Sequence, residues 1–541
     1  MRLGRSLTYW IVLIGLTGSV STAALAQEVT GEAVVEADDP RAEIRLLKER
    51  LETVERRLAE SEAKKSEAAG APETFVGPPG AAQAITPSWM PTEDETFVAA
   101  EASPAAADKP KTASKPADPL SMSAKWKNGL ELETADKQFR VHIGGRTQID
   151  MVFFQGDSAF DNAGGARSSD AVNFRRARLR ADGTMYGWID WCVEYDFVNG
   201  ANVNLPAAPT EATVINTTGL TDAYFIFKDV PFVGNIKAGL FKDPIGMEHN
   251  TSSRYLEFME RSYIQDAFTG PANNGFIPGV MIFDNWAGEN GTWASGFFKN
   301  TTNPYSYGIG GGEYSWASRV TYLPVYECNG DRLLHVGMSG NIRDLNDDLI
   351  RFRTRPALRN GPGPYDPVIA DTGTLIGDNQ GMLGGELAAN WGPLSLQGEF
   401  FGSWVTNTIG NAGPFLGVPL GTTYVYGWYA EALYFLTGET RYYDRKAGLF
   451  ARTTPKENFR FGRGLGAWQI GARYSKLYLR DTGIDGGVVD DVTLGVNWYL
   501  NPNLKLQANY VVTHGEPPAI GVPRGMNGTI QGFGMRLAHD F

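Results

Sequence analysis

Alternation of apolar and polar side chains over short segments is the feature that most restricts the fold of this chain. In the segment 529–541, one face carries the large apolar side chains Phe533, Met535, Leu537 and Phe541, and the other carries Arg536 and Asp540. Outer-membrane barrels need segments of about ten residues with an apolar face toward lipid and aromatic residues at both interfaces. An ordinary amphipathic edge strand is the alternative interpretation of this one segment.

Fifteen further segments follow the same pattern, with turn residues between them. Short and long connections alternate, as expected when short periplasmic turns face long outer loops; the connection 438–463 is the exception, being long where a short turn is expected. The sequence therefore predicts an all-β fold, a 16-stranded antiparallel transmembrane β-barrel over 139–541. The predicted strands are 140–154, 174–184, 188–198, 219–229, 234–243, 277–287, 291–300, 314–326, 332–343, 381–391, 393–405, 422–437, 464–481, 488–500, 503–514 and 529–541.

The first residues agree with export to such a membrane. Residues 1–26 combine Arg2 and Arg5, a short apolar stretch and a small-x-small ending at Ala26, which predicts a cleaved signal peptide. No later apolar run is long enough for a transmembrane helix. The 64 Gly, 22 Tyr and 13 Trp are typical of barrels, whereas Cys192 and Cys328 are too few to indicate a disulfide scaffold. We expect a location in the outer membrane of a Gram-negative cell, in contact with its lipids.

Two unlike segments separate the signal from the barrel. Residues 40–65 carry an a/d heptad seam from Ile44 to Leu58 and predict a short coiled coil, with a lone amphipathic helix as the alternative. Such a short helix is marginal alone, so partners are expected. Residues 66–123 are rich in Ala, Pro, Glu and Lys and predict a disordered linker.

Strand parity places a set of basic side chains inside the predicted barrel. On the second strand Ala177, Leu179 and Ala181 face lipid, so that alternate arginines form a column with neighbours about 6.6–6.8 Å apart. Guanidinium groups stay charged and offer forked donors to oxyanions, and a column of them could pass an anion from donor to donor. The inward cations are Arg146, Arg176, Arg178, Arg180, Lys237, Arg319, Arg473, Lys505 and Arg536.

Inward carboxylates support a second interpretation. Glu194, Asp196 and Glu386 are among the acids that parity also places inside, so the arginines could simply neutralise them and stiffen the wall. The net charge of −12 does not decide between these interpretations. Only charges within a Debye length of the permeating ion, about 8 Å, act strongly on it.

Ten short stretches, taken in order, give the barrel region a family resemblance. Together they cover the chain from about Phe139 to Phe541, which resembles the phosphate-selective porin O and P family. The stretches are GRTQID at 145–150, FRRARL at 174–179, EYDF at 194–197, DAY at 222–224, KAGLFKDP at 237–244, SSR at 252–254, FMERS at 258–262, FLTGE at 435–439, GAW at 466–468 and GVNWYL at 495–500.

The resemblance implies a trimeric porin whose third outer loop, about 244–276, folds inward as a constriction that carries Arg254 and Arg261. It also implies that anions bind to lumen cations, and it adds Lys242, which lies in a matching stretch. The function expected is diffusion of small anions, phosphate or polyphosphate, through the outer membrane by a homotrimer. The expected anion-binding residues within or beside the matching stretches are Arg146, Arg176, Arg178, Lys237 and Lys242. Arg180, Arg319 and Arg473 are also expected to bind anions, on strand parity alone.

Other function classes are weighed on the same residues. The five His accompany no catalytic motif, so we expect no enzyme, no catalytic residue, no metal site, no cofactor and no nucleic-acid partner. A porin for general or organic solutes remains an alternative. So does a structural barrel that anchors the outer membrane to peptidoglycan through the N-terminal stalk. The basic run Arg351, Arg353, Arg355 and Arg359 could guide anions to the mouth or contact surface phosphates.

Overall fold

The fold rests on β-strands joined by alternating short and long connections. The computed structural model describes residues 120–157, 170–198, 218–269, 275–301, 312–345, 349–359, 361, 368–411, 415–517 and 527–541. The predicted signal peptide, the coiled coil 40–65 and all but the end of the linker 66–123 lie outside the described residues. Among the described residues, no helix has the length and apolar character needed to cross a membrane.

Sixteen of the described strands form one continuous sheet wall. The remaining eight are short strands in a preceding hairpin and in the connections. The described residues also form an α-helix at Met247–Asn250, a π-helix at Gln265–Thr269 and a 3₁₀ turn at Cys328–Gly330. The strands are β1 (Met122–Trp126), β2 (Leu130–Thr134), β3 (Arg140–Gly156), β4 (Ala171–Met185), β5 (Ile189–Asp196), β6 (Gly219–Val230), β7 (Gly234–Lys242), β8 (Phe276–Trp286), β9 (Gly291–Lys299), β10 (Tyr314–Glu327), β11 (Arg332–Asp344), β12 (Leu349–Ile350), β13 (Arg353–Thr354), β14 (Ala370–Asp371), β15 (Leu375–Ile376), β16 (Asn379–Trp391), β17 (Leu394–Ile409), β18 (Pro419–Phe435), β19 (Tyr443–Asp444), β20 (Leu449–Phe450), β21 (Ala467–Asp481), β22 (Ile484–Asn501), β23 (Leu504–Glu516) and β24 (Gly528–Asp540).

The wall closes into a barrel. Each long strand pairs antiparallel with its neighbours in chain order, and the last strand β24 pairs with the first barrel strand β3, from Ile530 opposite Gly156 to Asp540 opposite Arg146. All sixteen predicted strands are present, with bounds shifted by a few residues. This closed register confirms the prediction of a 16-stranded antiparallel barrel. The sequence could predict the barrel because period-two alternation indicates both a strand and which of its faces meets lipid.

The barrel is apolar outside and polar inside. On β24, Phe533, Met535 and Leu537 are about 40% exposed on the outer face, whereas Arg536 between them is 1% exposed. Stacked aromatic pairs lie near both ends of the wall, such as Trp468 with Trp498 at one end and Phe297 with Tyr314 at the other. Aromatic girdles of this kind mark the two interfaces of a membrane barrel.

A hairpin of β1 and β2 precedes the barrel and was missed by the sequence. β2 pairs with the start of β3, from Leu130 opposite Ile143 to Glu133 opposite Arg140. β1 starts at Met122, so the predicted linker 66–123 extends two residues into this strand. The strand has five residues and is too short to show a clear alternation. Beside it, Gly145 exchanges backbone hydrogen bonds of 2.7 and 3.1 Å with Phe541.

The described parts of three connections fold into the barrel, and their packing forms its core. We name these connections the constriction loop (243–275), the outer loop (345–378) and the inner turn (436–466). The loop end of the barrel is the end that carries the constriction loop and the outer loop, and the turn end is the opposite end. The main buried cluster joins Met259 of the constriction loop and Leu358 of the outer loop to wall residues such as Phe401. A second cluster joins Met247 to Tyr443 and Phe450 of the inner turn. The sequence left the positions of the outer loop and the inner turn open.

Candidate functional site

A basic cavity of about 530 Å³ lies inside the barrel, between the wall and the inward connections. Fourteen arginines and lysines line it, against five carboxylates. The carboxylates are Glu131, Asp182, Asp222, Glu260 and Asp266. The cations are Lys127, Arg140, Arg146, Arg175, Arg176, Arg178, Arg180, Lys237, Lys242, Arg254, Arg261, Arg355, Arg359 and Arg452.

The arginine column on β4 is interrupted by a bulge. Gln148 of β3 lies opposite Arg176 and Ile149 lies opposite Phe174, so Arg175 is an extra residue. A bulge of this kind lets two consecutive residues avoid strict alternation. Arg175 and Arg176 therefore both reach the cavity, together with Arg178 and Arg180. Parity alone missed Arg175. The available signal was that Phe174 and Ala177 are three positions apart, yet both have apolar side chains suited to the lipid face, which strict alternation does not allow.

Several cavity arginines are held by wall carboxylates. Arg178 lies 3.0 Å from Glu194 and 2.6 Å from Asp196, and Arg146 lies 2.7 Å from Glu194. Arg180 lies 2.9 Å from Asp182. These pairs fix the guanidiniums in place and offset part of their charge. The interpretation of a salt-bridged wall thus describes part of the cavity.

Four cavity cations, Lys127, Lys237, Lys242 and Arg261, form no ion pair with a carboxylate among the described residues, and neutral groups contact the last three. Lys242 donates to the carbonyl oxygen of His249. Arg261 donates to the carbonyl oxygens of Glu248, at 2.8 Å, and of Thr251. The ammonium of Lys237 lies 3.7 Å from the ring centroid of Tyr224. Neutral partners orient these groups and leave their charge for another anion.

The constriction loop brings Arg254 and Arg261 to the cavity. The backbone N–H of Met259 donates to the side chain of Asn509 at 2.7 Å, which ties the loop to β23. Burial lowers the pKa of the Arg261 guanidinium to about 10 even though Glu248 and Glu260 act to raise it. Arg261 therefore remains charged at neutral pH.

The structure places Arg319 and Arg473 away from this cavity. Both point inward, as parity predicted, but inward connections cover them. Arg319 lies 2.8 Å from Glu386 and donates to the carbonyl of Gly448 in the inner turn at 2.9 Å. Arg473 lies 3.3 Å from Glu248 behind the constriction loop. Each arginine forms a buried ion pair and does not line the basic cavity, so we leave both out of the candidate site.

Inward connections add cations that parity could not assign. The outer loop supplies Arg355 and Arg359, which lie 2.7 and 3.2 Å from Asp266 of the constriction loop. The inner turn supplies Arg452, whose Nη1 lies 3.1 Å from Asp540. The basic run in the outer loop was the available signal for the first two, whereas Arg452 gave none.

Comparison with known proteins adds a family to this geometry. The family model described as phosphate-selective porin O and P matches residues 141–522, most of the barrel. The chain belongs to this family. The phosphate-selective porin resemblance found in the sequence is thereby confirmed. As a family member the protein is a porin of the Gram-negative outer membrane, and its family and fold indicate a channel rather than an enzyme.

Two relatives extend this comparison. Porin O of Pseudomonas aeruginosa is 27% identical over 426 residues, which cover 72% of this chain and 86% of Porin O. A Caulobacter vibrioides protein described as uncharacterized is 26% identical over 510 residues, which cover 93% of this chain and 90% of that protein.

Two solved outer-membrane proteins give low similarity to this chain. OmpT of Vibrio cholerae in its trimer form gives a TM-score of 0.42 at 10% identity, covering 74% of this chain and 99% of OmpT. OmpF of Salmonella typhi in complex with daunomycin gives a TM-score of 0.43 at 12% identity, covering 76% of this chain and 100% of OmpF. We infer the closed barrel from the strand pairing of this chain itself, in which β24 pairs with β3.

Proposed function

We propose that this porin conducts small anions, phosphate or polyphosphate, through its basic cavity. The observation that carries the proposal is the excess of fourteen cations over five carboxylates around one space inside the barrel. Low-dielectric walls lined by one sign of charge focus the field and raise the local concentration of counter-ions. The overall net charge of −12 does not oppose this, since exposed charges beyond a Debye length are screened.

The cavity cations are distributed along the proposed permeation path, from the loop end of the barrel to its turn end. Arg355 and Arg359 come from the outer loop at the loop end, and Arg176 to Arg180 descend along β4. Arg452 comes from the inner turn at the turn end. Conduction needs sites that bind an ion well enough for entry and weakly enough for release, and a series of comparable donors supplies them.

Lys242 and Arg261 are the residues that we expect to hold an anion most directly. Neither forms an ion pair with a carboxylate among the described residues. Lys242 is the last residue of β7, and Arg261 lies in the constriction loop that follows it. The positive charges that line the cavity repel one another, and a bound oxyanion would relieve this repulsion. Arg175, Arg176 and Arg178 stand beside them as forked donors suited to phosphate oxygens.

Planar-bilayer recording of the purified channel tests the proposal. We expect a reversal potential on the anion side under a salt gradient, and a chloride current that falls when phosphate is added. Cation preference, or no preference, would contradict the proposal. A plugged structural anchor would pass little current, and a porin for general organic solutes would show no competition by phosphate.

A Lys242→Met variant tests the site within the channel. We expect the phosphate concentration that half-blocks the chloride current to rise about tenfold, the scale of one charge-assisted hydrogen bond. The matched control is Lys228→Met, since Lys228 pairs with Asp190 at 3.1 Å near the turn end and does not line the cavity. Equal effects of the two substitutions would argue against a local site.

The homotrimer and the contact of the N-terminal stalk with peptidoglycan remain predictions. They are supported by the family and by the heptad pattern at 40–65, which lies outside the described residues. Native mass spectrometry in detergent tests the trimer, with and without residues 27–119. Co-sedimentation with purified peptidoglycan tests the stalk.

A further inference from the structure

A carboxylate of the constriction loop occupies the centre of the arginine cluster. Glu260 accepts two hydrogen bonds from Arg175, at 2.8 and 3.0 Å, and one from Arg536 at 2.7 Å. Arg176 lies 3.8 Å away on the side of the second carboxylate oxygen. Three guanidiniums from β4 and β24, the two strands that flank β3 in the wall, thus converge on two oxygen atoms.

The bulge on β4 creates this arrangement. Without the extra residue, strict alternation would turn either Arg175 or Arg176 toward lipid. Arg536 is already compensated by Asp150, with two contacts of 2.6 Å. Glu260 contacts both bulge arginines, at 2.8 Å from Arg175 and 3.8 Å from Arg176. Glu260 also lines the basic cavity, although its side chain is largely buried.

The contacts of Glu260 are those that a permeating oxyanion would need. Carboxylate and phosphate both accept forked hydrogen bonds from guanidinium, in the same plane and at the same distances. Burial acts to raise the pKa of the Glu260 carboxyl, but the charges of Arg175, Arg176 and Arg536 outweigh burial and hold that pKa well below its usual range. Glu260 is therefore anionic at neutral pH.

We propose that Glu260 is a tethered competitor of the permeating anion, which occupies the donors of Arg175 and so keeps the affinity of the arginine cluster low enough for release. The proposal rests on the proposed function as an anion porin. An oxyanion that reaches the cluster must share or displace the contacts of Glu260. A cluster of the same arginines without this carboxylate would hold the anion longer and conduct more slowly.

A Glu260→Gln variant in planar-bilayer recording tests the proposal. We expect the half-blocking phosphate concentration to fall about tenfold or more, because one charge-assisted contact no longer competes. The maximal phosphate current should fall as well, since release becomes slower. Chloride is a single atom and lacks the two oxygens that match the parallel N–H donors of a guanidinium, so it should gain less affinity than phosphate.

Three further variants separate competition from support of the loop. Glu260→Asp keeps the charge and should stay near the wild-type affinity. Glu248→Gln removes another buried carboxylate of the same loop, which contacts Arg473 and Ser262 and does not line the cavity; it should not tighten phosphate binding. In an Arg175→Gln background, Glu260→Gln should lose most of its effect.

Unchanged or weaker phosphate binding in Glu260→Gln would overturn the proposal, as would equal tightening in Glu248→Gln. A rise in unselective conductance would show that Glu260 mainly holds the loop in place, and would overturn it too. The wild-type reversal potential is measured in the same series. Cation preference there would reject the anion porin itself, whereas anion preference with an unresponsive Glu260→Gln rejects only the competitor.

Discussion

Asp540 of the last strand accepts hydrogen bonds from both terminal nitrogens of Arg452 in the inner turn. The same carboxylate lies 3.7 Å from Nε of Arg254 in the constriction loop. One acid therefore links two connections that enter the barrel from opposite ends. It also offsets two of the cations that line the cavity near its turn end.

Removing this charge should strengthen the preference for anions. In an Asp540→Asn variant, Arg452 and Arg254 keep their positive charge and lose a shared counter-charge, so the local potential becomes more positive. We expect the reversal potential under a salt gradient to move further toward that of the anion. Asp331→Asn, on an exposed turn away from the cavity, is the control. A shift toward cations would mean that Asp540 acts mainly by holding the inner turn in place.

The contact between Asp266 and the outer loop should persist to low pH. Burial acts to raise the pKa of the Asp266 carboxyl, but Arg355 and Arg359 outweigh it and bring that pKa below its usual range. For a depressed carboxyl pKa, the stabilising contribution is present above the unfolded-state value, about 3.9, and is lost as pH falls through the folded-state pKa. The outer loop should thus stay held from about pH 8 down to about pH 5.

A nitroxide at Leu349→Cys in a Cys328→Ser background reports this by electron paramagnetic resonance. Its mobility should be constant over that pH range in the wild type and higher at every pH in Asp266→Asn. Asp266→Glu, which keeps the charge, is the control. Mobility that rises already near pH 6 would show that another group controls the loop.

The outer loop should also depend on one apolar contact. Leu358 is fully buried against the last strand, where a methyl group added at Gly532 or Gly534 would lie 2.9 or 2.7 Å from its side chain. Leu358→Ala should cost about 2–5 kcal/mol of the free energy that holds the loop inside. Single-channel conductance should then rise. Leu349→Ala, at an exposed position of the same loop, should leave it unchanged.

The strand pattern predicted the wall well, and the reason is physical. A strand with lipid on one side and a wet lumen on the other must alternate, so its position and facing can both be read from side-chain polarity. Parity placed Arg146, Arg178 and Lys237 correctly toward the cavity. It failed at Arg175, because a bulge changes parity within the strand and leaves only a weak trace in the sequence.

The connections were harder to predict because their burial depends on residues far away in the chain. Leu358 enters the barrel where Gly532 and Gly534 leave space, more than 170 residues later in the numbering. Arg319 and Arg473 point inward as expected, yet the inner turn and the constriction loop cover them. No local pattern in the sequence records such coverage.

The division between wall and inward connections separates two tasks that evolution can adjust independently. Hydrogen bonding between neighbouring strands makes the tube, while Arg254, Arg261, Arg355, Arg359 and Arg452 are carried by segments that take no part in closing it. We expect substitutions in those segments to change which solutes cross and to leave the strand pairing of the wall intact. The permeability of this scaffold can therefore be redesigned by exchanging its inward connections while the sixteen wall strands are kept.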